Sequence, residues 1–147
     1  MFADMRAAYD ALDDSMKTRL AGLTGLHGRH DGPAGVRLYA GDPEQRLDRS
    51  YTEKARPAVV HHAITGRHIL FVNPLHTHGF AGMRKTEAWP LIEALAEHST
   101  QDRFVYYHSW RVGDLLMWDE QATMHRGAGD YEPSERRIML RTIVYPN

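Results

Sequence analysis

The sequence predicts a mainly β fold with flanking helices, the back portion of an antiparallel barrel or jelly roll, incomplete in itself. Three observations carry this reading. Helical periodicity is concentrated early in the chain, and short β-prone runs joined by turns dominate late. The strands number only about five, too few to close a barrel. The first helical pattern begins at Phe2, so no strand is expected ahead of it.

The elements follow in order. Phe2 to Leu12 reads as a helix, with Met5, Ala8, Tyr9 and Leu12 on one face. Asp13 or Asp14 can cap a second helix from Ser15 to Leu23, whose apolar stripe is Met16, Leu20 and Leu23; Gly25 and Gly28 end it. Residues 27–57 are rich in Gly, Pro, Asp and Arg without a sustained period, and read as a long irregular excursion. Ala58 to His62 and Arg67 to Val72 are β-prone runs around the turn Thr65-Gly66, with His61 and His62 on a strand and one of them exposed. Trp89 to His98 reads as a third helix with Pro90 in its first turn. Phe104 to Trp110 and Asp114 to Trp118 are strands across the turn Val112-Gly113, and Arg136 to Tyr145 is the last strand. The 147 residues form a single partial domain with no internal repeat.

Composition narrows the function classes. A net charge of -1 gives no electrostatic reason to bind nucleic acid or an anionic membrane. No apolar run approaches the roughly 20 residues of a membrane span. Cysteine is absent, so disulfides and thiolate metal sites are excluded, and the cytoplasm is the expected location. Ten histidines make a nitrogen-ligated metal the natural possibility to weigh.

The last strand carries the strongest chemical signal. Strand side chains alternate faces, so Arg137, Met139, Arg141 and Ile143 share one face. A guanidinium among apolar neighbours is costly to bury without an anion, and its planar fork pairs bidentately with a carboxylate. The competing explanation is an exposed face, or pairing of Arg137 and Arg141 with internal Asp or Glu. His125 lies between the Trp118-Asp119 run and this strand. A lone histidine is more often structural than ligating; its place ahead of an arginine strand favours the ligand. His76-Thr-His78 has chelate spacing and His30-Asp31 are adjacent, but each is the weaker candidate.

Gly113-Asp-Leu-Leu-Met-Trp-Asp119, Thr123-Met-His125-Arg, Asp130-Tyr131 and Arg136-Arg137-Ile-Met-Leu-Arg141-Thr142 resemble the C-terminal signature of the taurine dioxygenase / 2,4-dichlorophenoxyacetate dioxygenase family. The resemblance extends back through Phe104-Val-Tyr-Tyr-His108-Ser-Trp110, Thr65-Gly-Arg-His-Ile-Leu-Phe-Val-Asn73 and Ala7-Ala-Tyr9-Asp-Ala-Leu12. Tyr106, His108 and Trp110 lean toward its herbicide-degrading branch. The resemblance implies a double-stranded β-helix and an Fe(II)- and 2-oxoglutarate-dependent dioxygenase that uses O2 to hydroxylate a small anionic substrate. It implies that His125 is the distal iron ligand, that Arg137 salt-bridges the far carboxylate of 2-oxoglutarate, and that Arg141 lies near co-substrate and substrate.

One part of that pattern is absent. No His-x-Asp or His-x-Glu occurs in the 147 residues. The expectation is therefore a C-terminal part of such an enzyme, inactive by itself. The alternatives are a non-catalytic carboxylate-binding or dimerising module, or half of a split oxygenase. A homo-oligomer, or a partner supplying the remaining part, is expected to cover strand edges and the apolar face of Phe71, Val105, Tyr107, Leu116, Met139 and Ile143.

Overall fold

The computed structural model describes residues 1–28, 53–129, 132, 134 and 138–145. The chain opens with a strand: β1 is Phe2–Asp4. This corrects the expected helix from Phe2. The helical face of Met5 and Ala8 is real, but it starts at α1, Met5–Asp10, because the Asp4 carboxylate accepts from the N–H groups of Arg6 and Ala7 at 2.9 and 3.2 Å. Asp13 caps α2, Asp14–Ala21, accepting from Met16 N–H at 2.7 Å. The second helix ends one turn earlier than Gly25, at a Gly22 cap, and the chain re-enters a sheet as β2, Thr24–His27.

Gly25 does not terminate a helix. It lies inside β2, where an added Cβ would sit 2.8 Å from Nε2 of His27, so the imidazole folds over a position only glycine leaves open. The two ends of the expected irregular excursion are also strands. β3, Lys54–Pro57, pairs antiparallel with β2 from Thr24↔Pro57 to His27↔Lys54. Residues 29–52 between them, His30 and Asp31 included, lie outside the described residues.

β4, Val59–His61, and β5, His68–Leu70, form the expected ribbon around Gly66, which takes φ +68 and donates its N–H to the His62 carbonyl at 2.8 Å. His61 is exposed and His62 buried. β6, Thr77–Phe80, pairs with β2 on the side away from β3. The third helix, α3, is longer than expected, Lys85–Ser99, so Pro90 is its sixth residue and not part of its first turn. Its face of Ala88, Leu91, Ile92 and Leu95, at 3.6-residue spacing, is buried.

After a 3-10 turn at Asp102–Phe104 comes β7, only Val105–Tyr106. β8, Thr123–His125, then returns beside β1. The expected strands Asp114 to Trp118 and Arg136 to Tyr145 are not strands among the described residues, because no neighbouring strand supplies a ladder for their backbone groups. Their alternation survives in exposure. Leu115 and Met117 are more open than Leu116 and Trp118, and Leu140 at 99% far exceeds Met139 at 42%.

The eight strands form three small sheets, β7-β1-β8, β3-β2-β6 and β4-β5, with three α-helices, and no closed barrel is formed among the described residues. α1 lies on β5 and α3 on β6, around a core of Met5, Leu20, Ile69, Leu70, Phe80 and Ile92. Among the described residues no helix is long and apolar enough to cross a membrane.

Candidate active site around His125

The site is built on β1 and β8. Phe2 faces His125 in the antiparallel register, and the two chain segments exchange backbone bonds just beyond, Arg126 N–H to the Met1 carbonyl at 3.2 Å and the Met1 ammonium to the Arg126 carbonyl at 3.1 Å. This pairing fixes the imidazole among aromatic neighbours. The Phe2 ring stacks on it at 5.9 Å, the Trp118 ring lies at 5.3 Å, and Phe2 and Trp118 meet at 5.1 Å.

Trp118 joins His125 to Arg141. The Arg141 guanidinium lies over the indole at 5.4 Å and donates to Glu120 at 2.8 Å; the other Glu120 oxygen accepts from Trp118 Nε1 at 2.7 Å. Tryptophan, with its large negative π face, is the best aromatic partner for a cation. One indole thus holds a histidine and an arginine in one cluster, with a carboxylate on the arginine. The competing explanation for Arg141, pairing with an internal acid, describes the geometry seen. Both members are about half exposed, so the pair is open to exchange with another carboxylate.

The His125 imidazole is held below the ordinary histidine value of 6.5. Burial is the main cause, opposed by the Glu120 carboxylate and aided by Arg141. A neutral imidazole at physiological pH is the form that ligates a metal.

The approach to His125 is fixed by Asp119. Its carboxylate accepts from Gln121 N–H at 3.0 Å, and its carbonyl accepts from Thr123 Oγ1 at 2.7 Å and Ala122 N–H at 3.2 Å, which turns the chain into β8. The second carboxylate oxygen takes the His62 Nε2–H at 2.7 Å. His62 Nδ1 accepts from Thr65 N–H at 3.1 Å, which assigns the proton to Nε2. The sequence does not mark His62, Asp119, Trp118 and Glu120 as site residues, since their roles depend on contacts across elements. The Asp119 turn was the available signal.

Of the predicted site residues, the structure brings His125 and Arg141 together around Trp118. Arg137 lies outside the described residues. His78 pairs with Glu53 at 2.9 Å. Nearby in sequence, His108 bonds the Tyr106 hydroxyl and Asp114, each at 3.1 Å, and meets Trp110 edge-on at 4.5 Å, so the three aromatic positions form one cluster.

An iron site of two histidines and a carboxylate needs three donors around one point. Among the described residues no group of three His, Asp or Glu side chains is placed to hold a metal ion. The lowered His125 value favours the neutral form that a ligand needs, but the described residues alone do not build the centre.

The family profile described as "Taurine catabolism dioxygenase TauD, TfdA family" matches residues 1–143. The chain is 39% identical over 152 residues to an alpha-ketoglutarate-dependent 2,4-dichlorophenoxyacetate dioxygenase of Burkholderia sp. (strain RASC), covering 97% of this chain and 47% of that protein. It is 32% identical over 151 residues to the (S)-phenoxypropionate/alpha-ketoglutarate-dioxygenase of Sphingobium herbicidovorans, covering 97% of this chain and 50% of that protein. Among solved structures, AAD-2 in complex with Mn(II) and N-oxalylglycine superposes with a TM-score of 0.70 at 34% identity, over 83% of this chain and 47% of that one. The chain spans about half the length of these relatives.

Proposed function

The chain belongs to the taurine catabolism dioxygenase TauD, TfdA family, and from that premise we propose that it is the C-terminal part of an Fe(II)- and 2-oxoglutarate-dependent dioxygenase acting on a small anionic organic substrate. The observation that carries the reading is the shared Trp118, which sets the His125 imidazole and the Arg141 guanidinium side by side. His125 is one iron ligand in this reading. Arg137 and Arg141 receive carboxylates, Arg137 that of 2-oxoglutarate and Arg141 that of co-substrate or substrate. The names of the phenoxyacetate and phenoxypropionate relatives support an aryloxy acid as the substrate class.

What this chain's own residues do is bind and orient. A planar guanidinium fixes a carboxylate in two directions, and the indole beneath Arg141 restricts where the fork can turn. The apolar faces of Phe2 and Trp118 shield the His125 ring and favour its neutral form. The other iron donors have to come from outside the described residues, so no oxidative step is assigned to the chain by itself. The jelly-roll architecture belongs to the same proposal: the three sheets become parts of a double-stranded β-helix once further strands pair with them.

Calorimetric titration of the 147-residue chain with 2-oxoglutarate tests this. Saturable binding, weakened tenfold or more in Arg137→Gln and in Arg141→Gln, is expected, with little succinate formed when Fe(II) and O2 are added. Absence of dicarboxylate binding would overturn the reading. Rapid succinate release abolished by His125→Ala would overturn the incompleteness of the ligand set.

A further inference from the structure

A second group of histidines lies on a different sheet from His125. We propose that His61 and His68 form a surface chelate for a divalent transition-metal ion, taking Cu²⁺ in preference to Ni²⁺ or Zn²⁺. The proposal is independent of the oxygenase reading.

The register creates the site. His61 and His68 face each other across the antiparallel β4-β5 ribbon. The backbone bonds flank the pair: His62 N–H donates to the Arg67 carbonyl at 2.8 Å, and Phe71 N–H to the Ala58 carbonyl at 2.8 Å. By the alternation of an antiparallel ladder, His61 and His68 therefore occupy a non-hydrogen-bonded pair, the position where opposed side chains lie closest. His62, one residue on, is turned the other way to Asp119, so the two adjacent histidines serve opposite faces.

The two rings are close enough to share a hydrogen bond, and their spacing also suits a shared metal ion. Their Nε2 atoms lie 3.0 Å apart and their centres 4.3 Å apart, with the planes inclined at 50°. A collinear N–H···N bond would add both ring radii to the nitrogen separation and place the centres about 5.3 Å apart. The two ring axes therefore do not lie on one line through the nitrogens. With metal–nitrogen bonds of about 2.0–2.1 Å, two cis ligands at a right angle sit about 2.9 Å apart, and two tetrahedral ligands about 3.3 Å apart. The observed spacing is close to the right-angle bite, which tetragonal Cu²⁺ favours, and water can fill the remaining positions of so exposed a site.

The pair is also held in place. Tyr9 of α1 stacks on His68 at 5.0 Å with the planes 22° apart, and Arg67, beside it, donates to Asp10 at 2.6 Å. Both contacts tie the ribbon to α1. Less rotamer freedom then has to be lost when the ion binds.

The test is a titration of the chelator-stripped chain with copper sulfate, followed by calorimetry and by electron paramagnetic resonance, with nickel and zinc salts in parallel. One high-affinity Cu²⁺ with a nitrogen-ligated signal is expected, binding more tightly than Ni²⁺ or Zn²⁺. His61→Gln and His68→Gln, substitutions at exposed positions, should each weaken it at least tenfold, and His125→Gln should leave it unchanged. Copper should raise the thermal midpoint of the unsubstituted chain and of His125→Gln, but not of the other two variants. Copper binding retained in the His61→Gln, His68→Gln double variant, or lost in His125→Gln, would overturn the assignment, as would no copper binding at all.

Discussion

His62 Nε2 lies 2.7 Å from Oδ2 of Asp119, a residue 57 positions later. The bond joins the β4-β5 ribbon to the turn that delivers His125 into β8. His62 is buried, and its other ring nitrogen is already occupied by Thr65, so the pair leaves no unsatisfied polar atom on that ring.

Removing one partner should therefore cost more than a surface contact would. Asp119→Ala leaves a buried imidazole donor without an acceptor and also loses the bond to Gln121 N–H. A destabilisation of about 1–3 kcal/mol is expected, read as a lower midpoint in urea, with altered near-UV dichroism from Trp118. Asp119→Asn keeps an acceptor and should retain most of the stability. Equal loss in both variants would mean that charge, not the hydrogen bond, holds the turn.

Glu120 occupies the Arg141 guanidinium and competes with any incoming carboxylate. Glu120→Gln should free the arginine and tighten dicarboxylate binding severalfold, while Arg141→Gln weakens it. The salt dependence of binding should become steeper in Glu120→Gln, as expected for an exposed charge no longer neutralised within the chain. Unchanged affinity in Glu120→Gln would separate Arg141 from the anion site.

Acid should destabilise the fold in a defined window. Burial pushes His27 and His125 below the ordinary histidine value of 6.5, and His27 is further lowered by His76, His78 and Arg56. His27 Nε2 is buried without a hydrogen-bond partner, so its protonated form has no acceptor there. A histidine with a depressed folded pKa binds fewer protons folded than unfolded. Its contribution is complete above the unfolded value and is lost as pH falls through the folded one. Stability should fall as pH drops through and below about 6.5, and His27→Gln with His125→Gln should flatten the profile in chemical denaturation measured across pH.

Much of this was legible in the chain, and the misses share a cause. The α3 face was readable because Ala88, Leu91, Ile92 and Leu95 repeat locally, but Pro90 drew the expected start too late, when the helix tolerates it at its sixth residue. Thr65-Gly66 was readable because a positive φ needs glycine. β2 and β6 carry no local strand signal. Thr24-Gly-Leu-His27 and Thr77-His-Gly-Phe80 lack β-branched alternation, and they become strands by pairing with each other across 50 residues. Phe2 reads as helical because its strand partner His125 is visible only in space. The resemblance singled out His125 and Arg141; that Trp118 and Glu120 connect them is a tertiary fact with no local pattern.

Self-association is the last expected behaviour. Tyr107, Met139 and Ile143, expected on an uncovered apolar face, are exposed at 56%, 42% and 44%, whereas Val105 packs against the core and Phe71 is half-buried beside His27. The exposed set extends to Trp110, Val112, Leu115, Met117, Leu140 and Val144, all after β7. Apolar surface concentrated in one part of a chain favours burial against another copy or partner. The purified chain should therefore sediment as a concentration-dependent mixture heavier than a monomer. Sulfate should strengthen the association, because it raises the effective value of apolar burial, and moderate urea should weaken it. Substituting Leu115, Leu140 and Val144 together by lysine removes exposed apolar area without touching the core, and should shift the distribution toward monomer. A monodisperse monomer at all concentrations and in sulfate would mean that this segment folds back on its own chain in solution and covers these side chains.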